Sequence, residues 1–577
     1  MDISLPVSTW TRWTDYAQAT SRSPIVTFDD KWYTAIIISI GVLFGLALPA
    51  IQRLLAHIIA AIGFEISKRW LTPAAIPDHF LDKGPKYLST FAVVVGIAYT
   101  IATTFATNLA AGEAALSSSK ICGAFGLRDD ANTAAQDADA LLQGEKESKA
   151  GQYARECYGR QSSASPNQCS SFRQPYIKTA HVDQEQRCPF VNETYCAGNG
   201  FSAVRFSTGS VDAKDIGINA GHTLSFNRTS ICVPLDINAG FAKDLGGGSE
   251  IGKWGYELGS VGSEQYSPSE YTFQQYGDPF SFDVRSYTMS TYVHTYSKSR
   301  IQNYWQPIEA LNVREDLKSK ADRYSIMIMF VKSCRIFYKK SSEDPIFPAR
   351  RLYPGSDLWF NDDSRARPLV CIDWVEICKR KGQCVPTYDE TLDGDSDAFV
   401  FTRMALNKSS AYYAMVSRGA MGLDAQYRIK DDTSLPLTSQ HPQWVEESRN
   451  ILQSSLSRVK FDAMDIARGA GYDGNKLYTR KTPPKFDGQI CNLFTFRLPK
   501  GYHNMAVIPL ILLQFLVPAV LTGLGLQTKV MFSEERQQSP RFKDTNLLFV
   551  ERIPGMIVRL LQRTPSAGVL AQDEDDA

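Results

Sequence analysis

The chain has 577 residues, 21% of them charged, and its 62 Lys and Arg against 61 Asp and Glu leave a formal net charge of +1. Nucleic-acid binding needs a basic face, so that class is excluded. Eleven cysteines in so long a chain are too sparse for a scaffold held by disulfides alone; they are expected to brace a fold with its own hydrophobic core, and their odd number leaves at least one free or paired with another chain.

In chain order, residues 1–32 are polar and have no apolar stretch behind a basic start, so no cleaved signal peptide is expected. Residues 33–51 are 19 without a charge, nearly enough at about 1.5 Å per residue to cross a hydrocarbon core of about 30 Å. Residues 87–109 and 504–526 are two further charge-free runs of 23. These three are predicted as transmembrane helices. The connector 52–86 carries five Lys or Arg, with residues 54–64 suited to an interfacial helix, and the tail 527–577 carries seven more. Basic loops stay on the cytoplasmic side, so residues 1–32 are expected to be an extracellular arm and residues 110–503 an extracellular domain. The expected setting is the plasma membrane or an endomembrane, with the lipid bilayer as a partner.

All eleven cysteines fall in residues 110–503: Cys122, Cys157, Cys169, Cys188, Cys196, Cys232, Cys334, Cys371, Cys378, Cys384 and Cys491. The three N-x-S/T sequons, at Asn192, Asn227 and Asn407, lie there too. This is the pattern of a disulfide-bearing glycoprotein domain on the oxidising side. Residues 129–158 are rich in helix formers and are predicted helical. Residues 201–401 turn to Tyr, Phe, Ser, Thr and Gly and are predicted β-rich, with strands over 223–234, 271–282, 287–296 and 324–338. Over 442–468, Val445, Ile451, Leu452, Leu456, Val459, Ala463 and Ile466 recur at steps of three and four between Pro442 and Gly469, predicting an amphipathic helix. The expected fold class is therefore a membrane protein: three transmembrane α-helices with a large α+β, β-rich, disulfide-braced ectodomain between the second and third.

The ordered series Tyr153-Ala154, Cys157-Tyr158, Cys169, Cys188-Pro189-Phe190 with Cys196, Gly217-Ile218-Asn219 and Cys232-Val233-Pro234-Leu235 resembles a large group of uncharacterised multi-pass membrane proteins of filamentous fungi. Tyr338 with Asp344-Pro345 and Phe347-Pro348-Ala349, followed by Cys371, Cys378 and Cys384, continues the resemblance, which spans roughly residues 85 to 530. It implies the architecture and a fungal surface or endomembrane setting, and brings no catalytic residues.

Motifs with chemical meaning are few. Gly469-Ala470-Gly471-Tyr472-Asp473-Gly474 fits G-x-G-x-x-G, but it follows a helix instead of opening a βαβ turn, so it reads as a helix-terminating loop. Asp393, Asp395 and Asp397 offer hard oxygen ligands for calcium, yet Ala398 and Met404 stand where an EF-hand needs Gly and Glu; a solvated acidic loop is the plainer reading. The histidines His181, His222, His294 and His441 lie far apart, and the cysteine spacings that could hold zinc read better, outside the cell, as disulfides. No cofactor is expected. Gly41 and Gly45 form a G-x-x-x-G that suits close helix packing, within the chain or in a homo-oligomer.

Three functional classes follow. The leading one is a non-enzymatic surface protein whose ectodomain recognises, senses or adheres to an extracellular ligand or protein. The second is an oligomeric channel gated by that domain, and the third an ecto-enzyme whose site has no sequence signature.

Overall fold

The segment Tyr324–Cys334 (YSIMIMFVKSC) is apolar on both alternating sides, so as a strand it has no face to offer water. It lies inside the large sheet that organises the molecule, described by a computed structural model over residues 7–14 and 24–42 in part, 113–115, and most of 122–507. The longer intervals outside the described residues are 43–112, 159–168, 262–270, 276–285, 297–304, 387–395, 435–441, 470–477, 482–492 and 508–577.

Seven strands form the sheet: β1 (His181–Gln186), β2 (Ala203–Asp212), β3 (Leu224–Pro234), β4 (Ser286–Tyr296), β5 (Tyr324–Cys334), β6 (Arg367–Lys379) and β7 (Cys384–Pro386). Their spatial order is β4-β5-β6-β3-β2-β1, with β7 folded back on the end of β6 and every pairing antiparallel. Because side chains alternate, the sheet separates two cores. Met327, Met329 and Val331 of β5 join Leu369, Val375 and Ile377 of β6 in one; Ile326, Ile328 and Phe330 join Val370, Ile372 and Trp374 in the other.

The first core is covered by helices: α1 (Thr133–Tyr158), α2 (Asp397–Leu406), α3 (Ala411–Met415), the short α4 (Asp424–Tyr427) and α5 (Gln443–Arg468). The second is covered by loops and short strands bearing Phe190, Phe241, Tyr256 and Trp305. The apolar positions expected in α5 are all buried, and the helix stops at Gly469 in the left-handed region, φ 64°. Its polar side is buried as well. Arg458 Nη2 donates to Gln143 Oε1 of α1 at 2.6 Å, and Lys460 Nζ donates to the Gln174 and Pro175 carbonyls at 2.7 and 3.0 Å. Helix α5 is thus sandwiched between sheet and helices instead of lying half in water.

This architecture corrects the expected fold class. The described structure is mostly β-sheet with few helices, and no helix among the described residues is long and apolar enough to cross a membrane. Helices α1 and α5, 26 residues each, are the wrong chemistry: both carry many charged and amide side chains. At the start of the third expected span, residues 504–506 end the strand Tyr502–Ala506, which pairs with Pro24–Asp29. A buried relay runs through that pairing, from Trp13 Nε1 to Thr27 Oγ1 at 3.2 Å and from Thr27 Oγ1 to Asn504 Oδ1 at 2.6 Å. Asn504 is therefore fixed by a strand partner 477 residues away. Residues 43–51, 87–109 and 508–526 of the expected spans, and the connector and tail, lie outside the described residues.

By its contacts the chain divides into two units, residues 1–33 with 107–507, and 34–106 with 508–577. The sheet, its helices and the small sheet of Arg12–Thr14, Pro24–Asp29 and Tyr502–Ala506 belong to the first. Of the second, helical residues 34–39 and 41–42 are described, with Ile38 and Val42 exposed.

Candidate functional site

Eight of the candidate cysteines pair as Cys157–Cys169, Cys188–Cys196, Cys232–Cys371 and Cys378–Cys384. Cys232 and Cys371 face each other across β3 and β6, and Cys378–Cys384 closes the β6–β7 hairpin. Cys122 is also disulfide-bonded, and Cys491 lies outside the described residues. Cys334 corrects its place among the disulfide candidates. It is free and buried at the end of β5, where its cross-strand partner is Ser286 and no second thiol faces it.

The three sequons differ in setting. Asn192 is exposed and caps a short 3-10 turn, accepting from Thr194 N at 3.2 Å; Asn407 is exposed at the C-terminus of α2. Asn227 is half-buried within β3, between Ser210 of β2 and Glu376 of β6. When the protein is expressed through a secretory host, glycans are expected on Asn192 and Asn407 and not on Asn227, because a bulky polar modification belongs on the surface. Glycosidase treatment in oxygen-18-labelled water followed by peptide mass mapping checks this; a glycan on Asn227 would contradict its position within the sheet.

The other candidates do not converge. Asp397 opens α2 behind the N-cap Ser396, and Asp393 and Asp395 lie outside the described residues. Among the described residues no group of three or more His, Cys, Asp or Glu could hold a metal ion. His294 is buried, its Nδ1 2.7 Å from the Trp305 carbonyl oxygen, and burial lowers its basicity. His222, His441 and residues 470–474 of the glycine motif lie outside the described residues.

A further polar constellation lies in a cleft of about 750 Å³ in the first unit. Its walls come from the segment after Cys196, the turn after β3, the loop containing Glu343 and Arg350, the approach to β6, and the start of α5. Each wall is held by backbone. Leu235 N donates to the Pro368 carbonyl and Asp236 N to the Tyr195 carbonyl, both at 2.9 Å. Asp344 ties the third wall to α5, accepting from Ile346 N and Phe347 N at 2.9 Å and from Trp444 N at 3.0 Å. Trp444 itself lines the cleft.

At the approach to β6 stands a guanidinium–carboxylate–guanidinium group. Asp363 accepts from Arg365 Nε at 2.9 Å, from Arg365 Nη2 at 2.8 Å and from Arg367 Nη2 at 2.7 Å. Its orientation is fixed locally, since Asp363 Oδ1 also accepts from Arg365 N at 3.0 Å and Asp363 N donates to Asn361 Oδ1 at 3.1 Å. Burial works against the carboxylate, but the hydrogen bonds from Arg365 and the charges of Arg367 and Arg365 outweigh it and hold Asp363 below the usual range. Arg365 also lies over the Trp254 ring at 5.5 Å. Arg350 Nε donates to Glu343 Oε2 at 2.7 Å nearer the rim. Asp236, Asp362 and Asn238 complete the polar lining.

Nothing already described in other proteins decides what enters this cleft. No family model, curated protein or solved structure matches the chain.

Sequence reasoning passed over this site because Asp362-Asp363-Ser364-Arg365-Ala366-Arg367 reads as a solvated charged loop. One signal was present. Arg365 and Arg367 are two apart at the entry to a strongly apolar strand, a spacing that puts both side chains on one side of an extended chain. Asp363, two residues earlier, falls in the same row.

Proposed function

We propose that this chain is a recognition protein of an oxidising compartment that binds a small polar ligand in the cleft beside β6. The observation carrying this reading is the Arg365–Asp363–Arg367 group, held rigid by its own backbone before any ligand arrives. Preorganised polar groups bind well because little freedom is lost on association. A cleft of this volume, with a rigid polar group and one aromatic wall at Trp444, is large enough to enclose a small molecule. The disulfides Cys157–Cys169, Cys188–Cys196, Cys232–Cys371 and Cys378–Cys384 support the compartment.

Two strongly shifted groups among the described residues, the acid Glu447 and the base Lys460, favour no enzymatic reading, because both are consumed in structure. Glu447 accepts from Asp424 N at 2.8 Å and Ala425 N at 2.5 Å, and Lys460 is held by two carbonyls.

A thermal-shift screen of hydrophilic small molecules tests the proposal. Ligand at 100 times its Kd stabilises a native state by about 2.7 kcal/mol, so at least one compound is expected to raise the Tm by a few degrees. That rise is expected to vanish in Ala197→Trp, which fills the cleft from its half-exposed wall. A rise that persists in Ala197→Trp would place binding elsewhere and defeat the proposal.

A further inference from the structure

The lining as a whole carries four carboxylates, Asp236, Glu343, Asp362 and Asp363, against three guanidiniums, but within the Asp363 group the charge is unevenly matched. Asp363 offers one negative charge to two guanidiniums, Arg365 and Arg367. Arg365 has the larger share, gripping both carboxylate oxygens, and part of its surface still reaches solvent. Arg367 is only 7% exposed, keeps one hydrogen bond to Asp363 through Nη2, and its Nε is buried with no acceptor. A buried cation whose donors are unmet is costly, and proteins retain such groups where something else meets them. Arg350 adds a third guanidinium to the same lining, near enough that its charge, after burial and alongside that of Arg365, works against the ionisation of Arg367. The partner of Arg350, Glu343, is 78% exposed, so that pair is screened and separable.

We infer that the ligand of this cleft carries a single anionic oxygen group, a carboxylate or a phosphate, that docks between Arg367 and Arg350, with hydroxyl groups directed at Asp236 and Asp362. The inference rests on the cleft being a ligand site. Guanidinium forks match planar or tetrahedral oxyanions in geometry as well as charge. The remaining carboxylates set the limit of one. Asp236 and Asp362 line the same space, and a second anionic group on the ligand would meet them. As acceptors they suit hydroxyl donors. The class is therefore a polyhydroxylated small molecule with one anionic group, such as an acidic or a phosphorylated sugar, and not a molecule with several such groups.

Isothermal titration of the full chain with glucose, glucuronate and glucose 6-phosphate tests this, in the wild type and in Arg350→Met and Arg367→Lys. The expected result is that at least one of the two acids binds tenfold or more tightly than glucose, and the tighter one identifies carboxylate or phosphate as the source. The advantage is expected to disappear in both variants while glucose affinity stays the same. Arg350 is exposed, so Arg350→Met tests the site even if Arg367→Lys fails to fold. Glucose binding as tightly as both acids would overturn the inference and leave the cleft a ligand site. An acid preference that survives in Arg350→Met would overturn it by placing the anion elsewhere. Failure of both acids to bind would overturn the inference, and together with no shift in the thermal screen it would remove the cleft reading as well.

Discussion

Asp373→Ala is expected to destabilise the protein by about 3–5 kcal/mol, the cost of leaving a buried charge without its partner. Asp373 lies in β6 and is 2% exposed; it accepts from Arg228 Nη2 of β3 at 3.3 Å and from Ala411 N, at the start of α3, at 2.8 Å. Arg228 is wholly buried and donates through Nη1 to Ser455 Oγ of α5. One carboxylate thus serves the sheet and two helices. Without it, a guanidinium remains under α5 and the first turn of α3 loses an acceptor. Urea unfolding should show a lowered midpoint with an unchanged slope. The double variant Arg228→Met with Asp373→Leu is expected to recover most of the loss, because apolar side chains of similar volume tolerate such a site. A loss below about 1 kcal/mol in the single variant would show that the pair is not desolvated as described.

Stability is expected to pass through a minimum near pH 7, with one limb set by Glu447 and the other by Lys460. Burial, with the neighbouring charge of Asp424, pushes Glu447 up to about 7 from an ordinary 4.5. Its folded pKa is raised, so its contribution is fully present below about 4.5 and is lost as pH rises through 7. Lys460 runs the other way. Burial pushes it down to about 7 from 10.5, so its contribution is present above about 10.5 and is lost as pH falls through 7. Each shift corresponds to several kcal/mol, at about 1.4 kcal/mol per pKa unit. Denaturation midpoints between pH 5 and 9.5 measure the curve. Glu447→Gln, which keeps one of the two acceptor oxygens that Asp424 N and Ala425 N use, should flatten the acid limb, and Lys460→Met the alkaline one. An acid limb unchanged in Glu447→Gln would mean that other carboxyls carry it. Asp344 and Asp462, both raised by burial, are the next to replace.

What could be read in the sequence was what is written in consecutive residues. Strand β5 was legible because its apolar residues run on almost without interruption, and β3 and β4 because β-branched and aromatic residues recur through them. The end of α5 was legible because Gly469 alone can close a helix in the left-handed region without a side-chain penalty. Features that depend on distant partners were not legible. Arg228, Glu447, Arg458 and Lys460 look like solvated charges, yet each is buried because its partner arrives from another part of the chain. The same limit misplaced Asn504. A charge-free run satisfies a hydropathy argument whether its amide meets lipid or, as here, the hydroxyl of Thr27. The cleft failed to show for a related reason: Arg350, Asp363 and Trp444 belong to three separate segments, and only the fold brings them to one cavity.

The pairing of Pro24–Asp29 with Tyr502–Ala506 also imposes an order of events on biosynthesis. A ribosome adding about 5–20 residues per second needs roughly half a minute to a minute and a half to pass from Thr27 to Asn504, 477 residues on. Throughout that interval Pro24–Asp29 has Arg12–Thr14 on one side, while its other edge stays open. An unpaired edge is a template for wrong partners, so this edge is open to mispairing until Tyr502–Ala506 is made.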